Sequence, residues 1–161
     1  MTAQATLRAE SGFSLLEVLV TLVVLSLGIL GVAGLQNVAL KNAHSALLRA
    51  QAAQYAYDMA DRMRVNREAA VGTATVAGAY NRALDDPAPT GSSLADRDRA
   101  GWLAQVRGLP QGAGAIAVDA NGNATITVRW DETAFGNTGT DDQCPSGTAA
   151  GLVCFVLSTR L

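Results

Sequence analysis

The sequence predicts an α+β chain in which one long N-terminal helix, apolar in its first half and amphipathic in its second, packs on a small antiparallel β-sheet. Three observations carry this expectation. No residue from Val18 to Leu40 is charged, and no proline occurs between residues 13 and 67. Alternating segments flank Ala-Asn-Gly-Asn at residues 120–123. The apolar run Leu152–Leu157 then supplies one more, deeper strand. A long helix followed by clustered strands is the α+β order of elements.

The helix comes first. The uncharged run exceeds the ~20 residues that cross a bilayer. Beyond Lys41, alanine recurs at 43, 46, 50, 52, 53, 56 and 60, which favours continued helix. Leu40, Ala43, Leu47, Ala50, Gln54 and Tyr57 follow one another at spacings of three and four, and this stripe is the expected docking face. One continuous helix of about 50 residues results, and such length without internal caps points to a membrane or assembly role.

Residues 70–93, with "DDPAPTGSS", are a connection. Ser93 is placed to cap a second helix from Leu94 to about Arg107, with Leu94, Trp102, Leu103 and Val106 toward a core; Gly108 and Pro110 end it. Strands follow at Ala115–Asp119 and Ala124–Trp130. In the latter, Ile126, Val128 and Trp130 make a buried face, and Thr125, Thr127 and Arg129 a wet one. Residues 137–151 form a loop before the last strand.

Composition narrows the function. The chain has 161 residues and a formal net charge of −2, which argues against a nucleic-acid-binding domain. Cys144 and Cys154 form a disulfide if the domain lies in an oxidising space beyond the membrane, and remain two buried thiols in a reducing one. A zinc site, usually four ligands, is not expected: the single histidine, His44, lies far upstream. No nucleophile–base pair, phosphate loop or dinucleotide fingerprint appears, so no catalytic residue and no cofactor is expected. The segment Asp58–Arg67, "DMADRMRVNR", reads as a solvated helix face with Met59 and Met63 inward, or else as an inter-subunit contact; Asp58 and Arg62 form an i,i+4 pair. Asn123-Ala-Thr125 matches a glycosylation sequon, but asparagine is expected in a hairpin turn.

The feature that needs explaining is Glu17, a carboxylate at the head of the apolar run. In hydrocarbon it costs several kcal/mol unless a cation neutralises it. Cleavage after Gly12 would create that cation, an α-amino group on Phe13, one helical turn before Glu17 and able to pair with it in the same chain or with Glu17 of a neighbour in an assembly. Gly28, Gly31 and Gly34 recur every third residue, and small residues let helices approach closely.

"GFSLLE" (Gly12–Glu17) followed by an unbroken apolar helix resembles the signal of type IV prepilins and type II secretion pseudopilins. The resemblance implies a type IV pilin-like fold and a structural, non-enzymatic role. It implies a leader at residues 1–12, cut between Gly12 and Phe13 by the prepilin peptidase with N-methylation of Phe13, and an assembly role for Glu17. It implies a transmembrane or filament-core helix at 13–40, its amphipathic continuation at 41–67, and a periplasmic globular domain at 68–161. "GILGVAGLQ" (28–36), "AYDMADRMRVNR" (56–67), "ITVRWDE" (126–132) and the last strand are similar to a narrower group, the PilV-type minor pilins. That similarity implies other minor pilins and the major pilin as partners. The implied location is the bacterial inner membrane, then the pilus, with the Cys144–Cys154 loop resembling the disulfide loops of pilins. A pseudopilin of an export machine, or a tethered periplasmic binding domain that never polymerises, are the competing expectations.

Overall fold

The computed structural model describes residues 12, 14–72, 78–145 and 148–161. By internal contacts the chain divides into two units, Met1–Lys41 and Asn42–Leu161.

Helix α1 runs unbroken over Leu15–Val65. Its first turn closes on the Ser14 carbonyl, which accepts from the amides of Glu17 and Val18 at 2.9 and 3.2 Å. Asn66 leaves helical geometry at φ −116°, ψ 45°, and the short helix α2, Arg67–Val71, follows it. Helix α3 spans Leu94–Val106. Ser93 caps it as expected: its Oγ accepts from the Asp96 amide at 3.1 Å, and the Asp96 carboxylate accepts back from the Ser93 amide at 3.3 Å.

Three strands form an antiparallel meander in chain order, β1 (Ala113–Val118), β2 (Asn123–Asp131) and β3 (Leu152–Arg160). β2 and β3 run a little beyond the expected segments, whereas β1 starts two residues earlier and stops one short. Ile116 stands opposite Ile126, which stands opposite Leu157. Asp119 closes the first hairpin, its carboxylate accepting from the amides of Asn121 and Asn123 at 2.9 and 2.8 Å. The bond from the Asn123 side chain, then those from the Asn123 and Asn121 amides, hold its carboxyl below the usual carboxylate range. Gly122 takes φ 81°, the left-handed conformation this turn requires.

The core of the second unit gathers Leu48, Ala52, Ala56, Met59, Ala60 and Met63 of α1 against Trp102 and Val106 of α3 and Ile126, Val128 and Trp130 of β2. This corrects the expected docking face. Leu40, Leu47 and Tyr57 are 71%, 52% and 55% exposed, and Ala43, Ala50 and Gln54 are exposed too. The buried stripe lies further round the helix, and half of it is alanine. The alanines take little room, and bulk comes from Met59 and Met63 on α1 itself and from Trp102 and Trp130 opposite. Two smaller expectations also change. Leu94 is 48% exposed, because the first turn of α3 lies at the rim. Thr127, assigned to the wet face of β2, is 8% exposed.

Candidate functional site

Two regions concentrate what the fold does not use for itself: the bare first half of α1, and the loop between β2 and β3.

No described residue from Leu15 to Leu47 is buried in the chain's own structure; the first buried position on α1 is Leu48. An exposed stretch this long and this apolar is unstable in water and at home in a dry environment. Two of its hydroxyls are satisfied within the helix. Thr21 Oγ1 donates to the Val18 carbonyl and Ser26 Oγ to the Val23 carbonyl, each at 2.8 Å, so neither hydroxyl needs water. A Cβ built at Gly28, Gly31 or Gly34 would meet nothing within 4 Å. The chain's own packing therefore does not require these glycines. Gly28 lies in a shallow apolar notch of about 500 Å³ between Val24, Leu25, Ile29 and Val32.

Glu17 occupies the first turn, exposed, with no ion pair among the described residues. Gly12 is described and exposed, whereas Phe13, the expected site of cleavage and methylation, lies outside the described residues. The spacing from Phe13 to Glu17 thus stands on the sequence alone.

The β2–β3 loop is held at several points. Cys144 and Cys154 are joined by a disulfide, Cα–Cα 5.1 Å. Asp141 turns inward beside it, accepting from the amides of Gln143 at 2.9 Å and Cys154 at 3.0 Å. Glu132, next to the loop's start, is 4% exposed, and its carboxylate accepts from Trp130 Nε1 at 2.9 Å and from Ser45 Oγ of α1 at 2.9 and 3.0 Å. The His44 and Phe135 rings lie 4.3 Å apart, tilted by 33°. These bonds fasten the loop to the start of the second unit. Sequence reasoning missed Glu132 and Ser45, because no local pattern distinguishes a carboxylate bound by a hydroxyl 87 positions away from a solvated one.

In the segment Asp58–Arg67, Met59 and Met63 face inward as expected and Asp61, Arg64 and Arg67 are exposed, while Arg62 is tied inside the unit. Arg62 pairs with Asp58 at 3.0 Å and with Asp98 of α3 at 3.6 Å. Tyr80, fully buried, donates to Asp98 at 2.6 Å and accepts from Asn66 at 3.1 Å. The network ties α1, α3 and the connection together inside one unit. Burial, then the bond to Asp98, push the Tyr80 phenol up to about 12. The folded chain holds that proton more tightly than the unfolded chain does. Stability from this group is therefore complete below pH 10 and falls as pH rises toward 12. Tyr80→Phe is expected to cost about 1–3 kcal/mol at neutral pH, since Asp98 and Asn66 lose a partner. It should also flatten the fall in urea-denaturation stability between pH 10 and pH 12. An unchanged alkaline slope would exclude Tyr80 as its source.

Among the described residues no group of three or more His, Cys, Asp or Glu side chains is placed to hold a metal ion.

Residues 7–33 match the model of the prokaryotic N-terminal methylation motif. The matched stretch spans Gly12, Phe13, Glu17, Gly28 and Gly31. No curated protein and no solved structure matches the chain.

Proposed function

We propose that this chain, which its methylation motif indicates to be a type IV pilin- or pseudopilin-type protein, is a minor pilin of the type IV pilus, of the PilV type. The motif's family is structural rather than enzymatic, and the motif implies processing by the prepilin peptidase and assembly with other pilins. In this reading the leader is removed after Gly12 and Phe13 is N-methylated. The subunit then waits as a single-pass inner-membrane protein with residues 68–161 in the periplasm. It leaves the bilayer for a bundle of pilin helices, where other minor pilins and the major pilin surround it and where it helps to start assembly.

One observation carries the reading. The apolar half of α1 is wholly exposed, and it bears one carboxylate, a helical turn from the expected cut. A helix of this kind finds equal shelter in lipid and in a filament core, because both exclude water. Glu17 then gives the transfer a direction: in lipid it is costly, and beside a terminal ammonium it is neutralised. The glycines at 28, 31 and 34, not required by the chain's own packing, suit close contact with neighbouring helices.

Intact-mass and N-terminal peptide mass spectrometry of the mature protein test the reading. A first residue of methylated Phe13 is expected; residues 1–12 still attached would overturn it. A minor pseudopilin of a type II secretion system shares the same motif. Deleting the gene separates the two, since loss of pili with protein export intact fits the pilus, and the reverse fits the export machine.

A further inference from the structure

The sheet ends on β1 at one edge and on β3 at the other. The chain covers the first edge with its own residues. Arg82 exchanges both backbone bonds with Ile116, at 2.9 and 3.0 Å. Two residues further along β1, the Asn81 side chain takes the place of a strand. Its Oδ1 accepts from the Val118 amide at 2.7 Å, and its Nδ2 donates to the Val118 carbonyl at 3.4 Å.

On β3 the register decides which backbone groups point outward. The Gly151 carbonyl accepts from the Glu132 amide at 2.9 Å, and the Leu161 amide donates to the Gly122 carbonyl at 2.8 Å. Bonded pairs alternate along an antiparallel ladder. The odd-numbered residues of β3 therefore bond to β2, and the even-numbered ones turn their amides and carbonyls away from it. The β2–β3 loop covers the first two of these. The Leu152 amide donates to the Ala149 carbonyl at 3.3 Å, and the Cys154 amide to the Asp141 carboxylate at 3.0 Å. The cover stops there. Among the described residues nothing bonds the outward groups of Val156, Ser158 and Arg160.

Open edges are usually guarded by proline, a bulge or a charge. This stretch has no proline, and its register with β2 is unbroken, so it has no bulge. Its one charge is Arg160, exposed and without an ion pair among the described residues. The side chains show the missing neighbour as well. Phe155 and Leu157 pack on the core but are only half-buried, whereas Val128 and Ile126, opposite them on β2, are fully buried.

We infer that Val156–Arg160 is a docking edge for an extended segment of another protein subunit, added antiparallel to β3 as a fourth strand. Three outward amides and three outward carbonyls call for an extended backbone, which is what completes a ladder. The pattern of the segment follows from the alternation of faces. Apolar residues stand opposite Phe155 and Leu157, and an acidic residue stands opposite Arg160. A second copy of β3 does not meet this requirement, because the strand contains no acid to set against Arg160. The edge uses no residue of α1 and does not rest on the filament reading.

The test uses the full chain in detergent micelles and a blocked heptapeptide that starts with glutamate and then alternates valine and threonine. Before peptide is added, NMR should show the Val156, Ser158 and Arg160 amides exchanging with deuterium more than about tenfold faster than that of Leu157. Peptide should shift their signals saturably and slow their exchange. Ser158→Pro removes an outward N–H, where an edge strand tolerates proline, and should abolish the saturable shift. Arg160→Glu, at an exposed side chain, is an independent variant should Ser158→Pro fold poorly. It should weaken binding about fivefold and prefer the same peptide headed by lysine. Slow exchange of the three amides in the chain alone overturns the site: independent of concentration, it means that the chain covers this edge itself, and rising with concentration, it means that a second copy does. Shifts that stay linear, or that the same peptide with a central proline reproduces, also overturn it. So does undiminished binding to folded Ser158→Pro or Arg160→Glu.

Discussion

Glu17→Ala is expected to lower incorporation of the chain into filaments by more than tenfold while leaving its insertion in the membrane intact. The two readouts diverge for a physical reason. Removing a carboxylate from the head of an apolar helix makes residence in lipid easier, because alanine carries no charge to desolvate. The same change removes the group that a terminal ammonium on Phe13, of the same chain or of a neighbour, would neutralise, and the pair with a neighbour's ammonium is the one that only assembly supplies. A charge-assisted pair in a dry setting exceeds the about 1.4 kcal/mol that corresponds to tenfold. Glu17→Gln, isosteric but uncharged, should behave like alanine. Quantitative blotting of sheared filaments against membrane fractions checks the result. Normal incorporation of either variant would mean that the carboxylate has no part in assembly.

The largest effect on stability is expected from Trp102→Ala, at about 3–5 kcal/mol. Domains of this kind are held by roughly 5–15 kcal/mol in all, so the variant should lie close to unfolding at ambient temperature. Trp102 is fully buried, and its Nε1 donates to the Tyr55 carbonyl in α1 at 2.9 Å. Its ring lies so close over Gly114 of β1 that a Cβ there would collide with it. One side chain thus touches α1, α3 and the sheet. Truncation opens a cavity and leaves a helix carbonyl with one partner fewer. Trp102→Phe keeps most of the ring and loses only the N–H bond, so it should fall between. Gly114→Ala damages the same contact by overfilling it and should cost about 1–3 kcal/mol. Urea unfolding followed by near-ultraviolet circular dichroism ranks the four proteins. If Trp102→Ala lost under 1 kcal/mol, the centre of the core would lie elsewhere.

These two residues differ in how plainly the sequence announced them. Glu17 stands out because it breaks an uncharged run, and charge against an apolar background is visible without coordinates. Trp102 was expected in the core from its spacing on α3, but its contact with Gly114 joins residues on different elements and no local pattern encodes it. The capping residue Ser93 and the hairpin at Asn121-Gly122 were legible for the same reason as Glu17: helix starts and tight turns are set by bonds within three or four residues. The thiol state of Cys144 and Cys154 was open in the sequence, and the disulfide closes it.

The sequence by itself determined polarity and period along the chain: where a helix would run, where it would be too apolar for water, and where strands would turn. Those properties follow from neighbours a few residues apart. Only the tertiary structure decided which face of α1 is inside, because Leu40–Leu47–Tyr57 and Leu48–Ala52–Ala56 recur with similar helical spacing and differ in what can approach them. Packing chose the stripe of Leu48, Ala52, Ala56, Met59, Ala60 and Met63, whose alanines leave room for large side chains such as Trp102, bonded to the Tyr55 carbonyl of α1 at 2.9 Å. It likewise decided which ionisable groups are answered. Arg62, Tyr80 and Glu132 find partners far along the chain, whereas Arg82 is buried with no ion pair among the described residues.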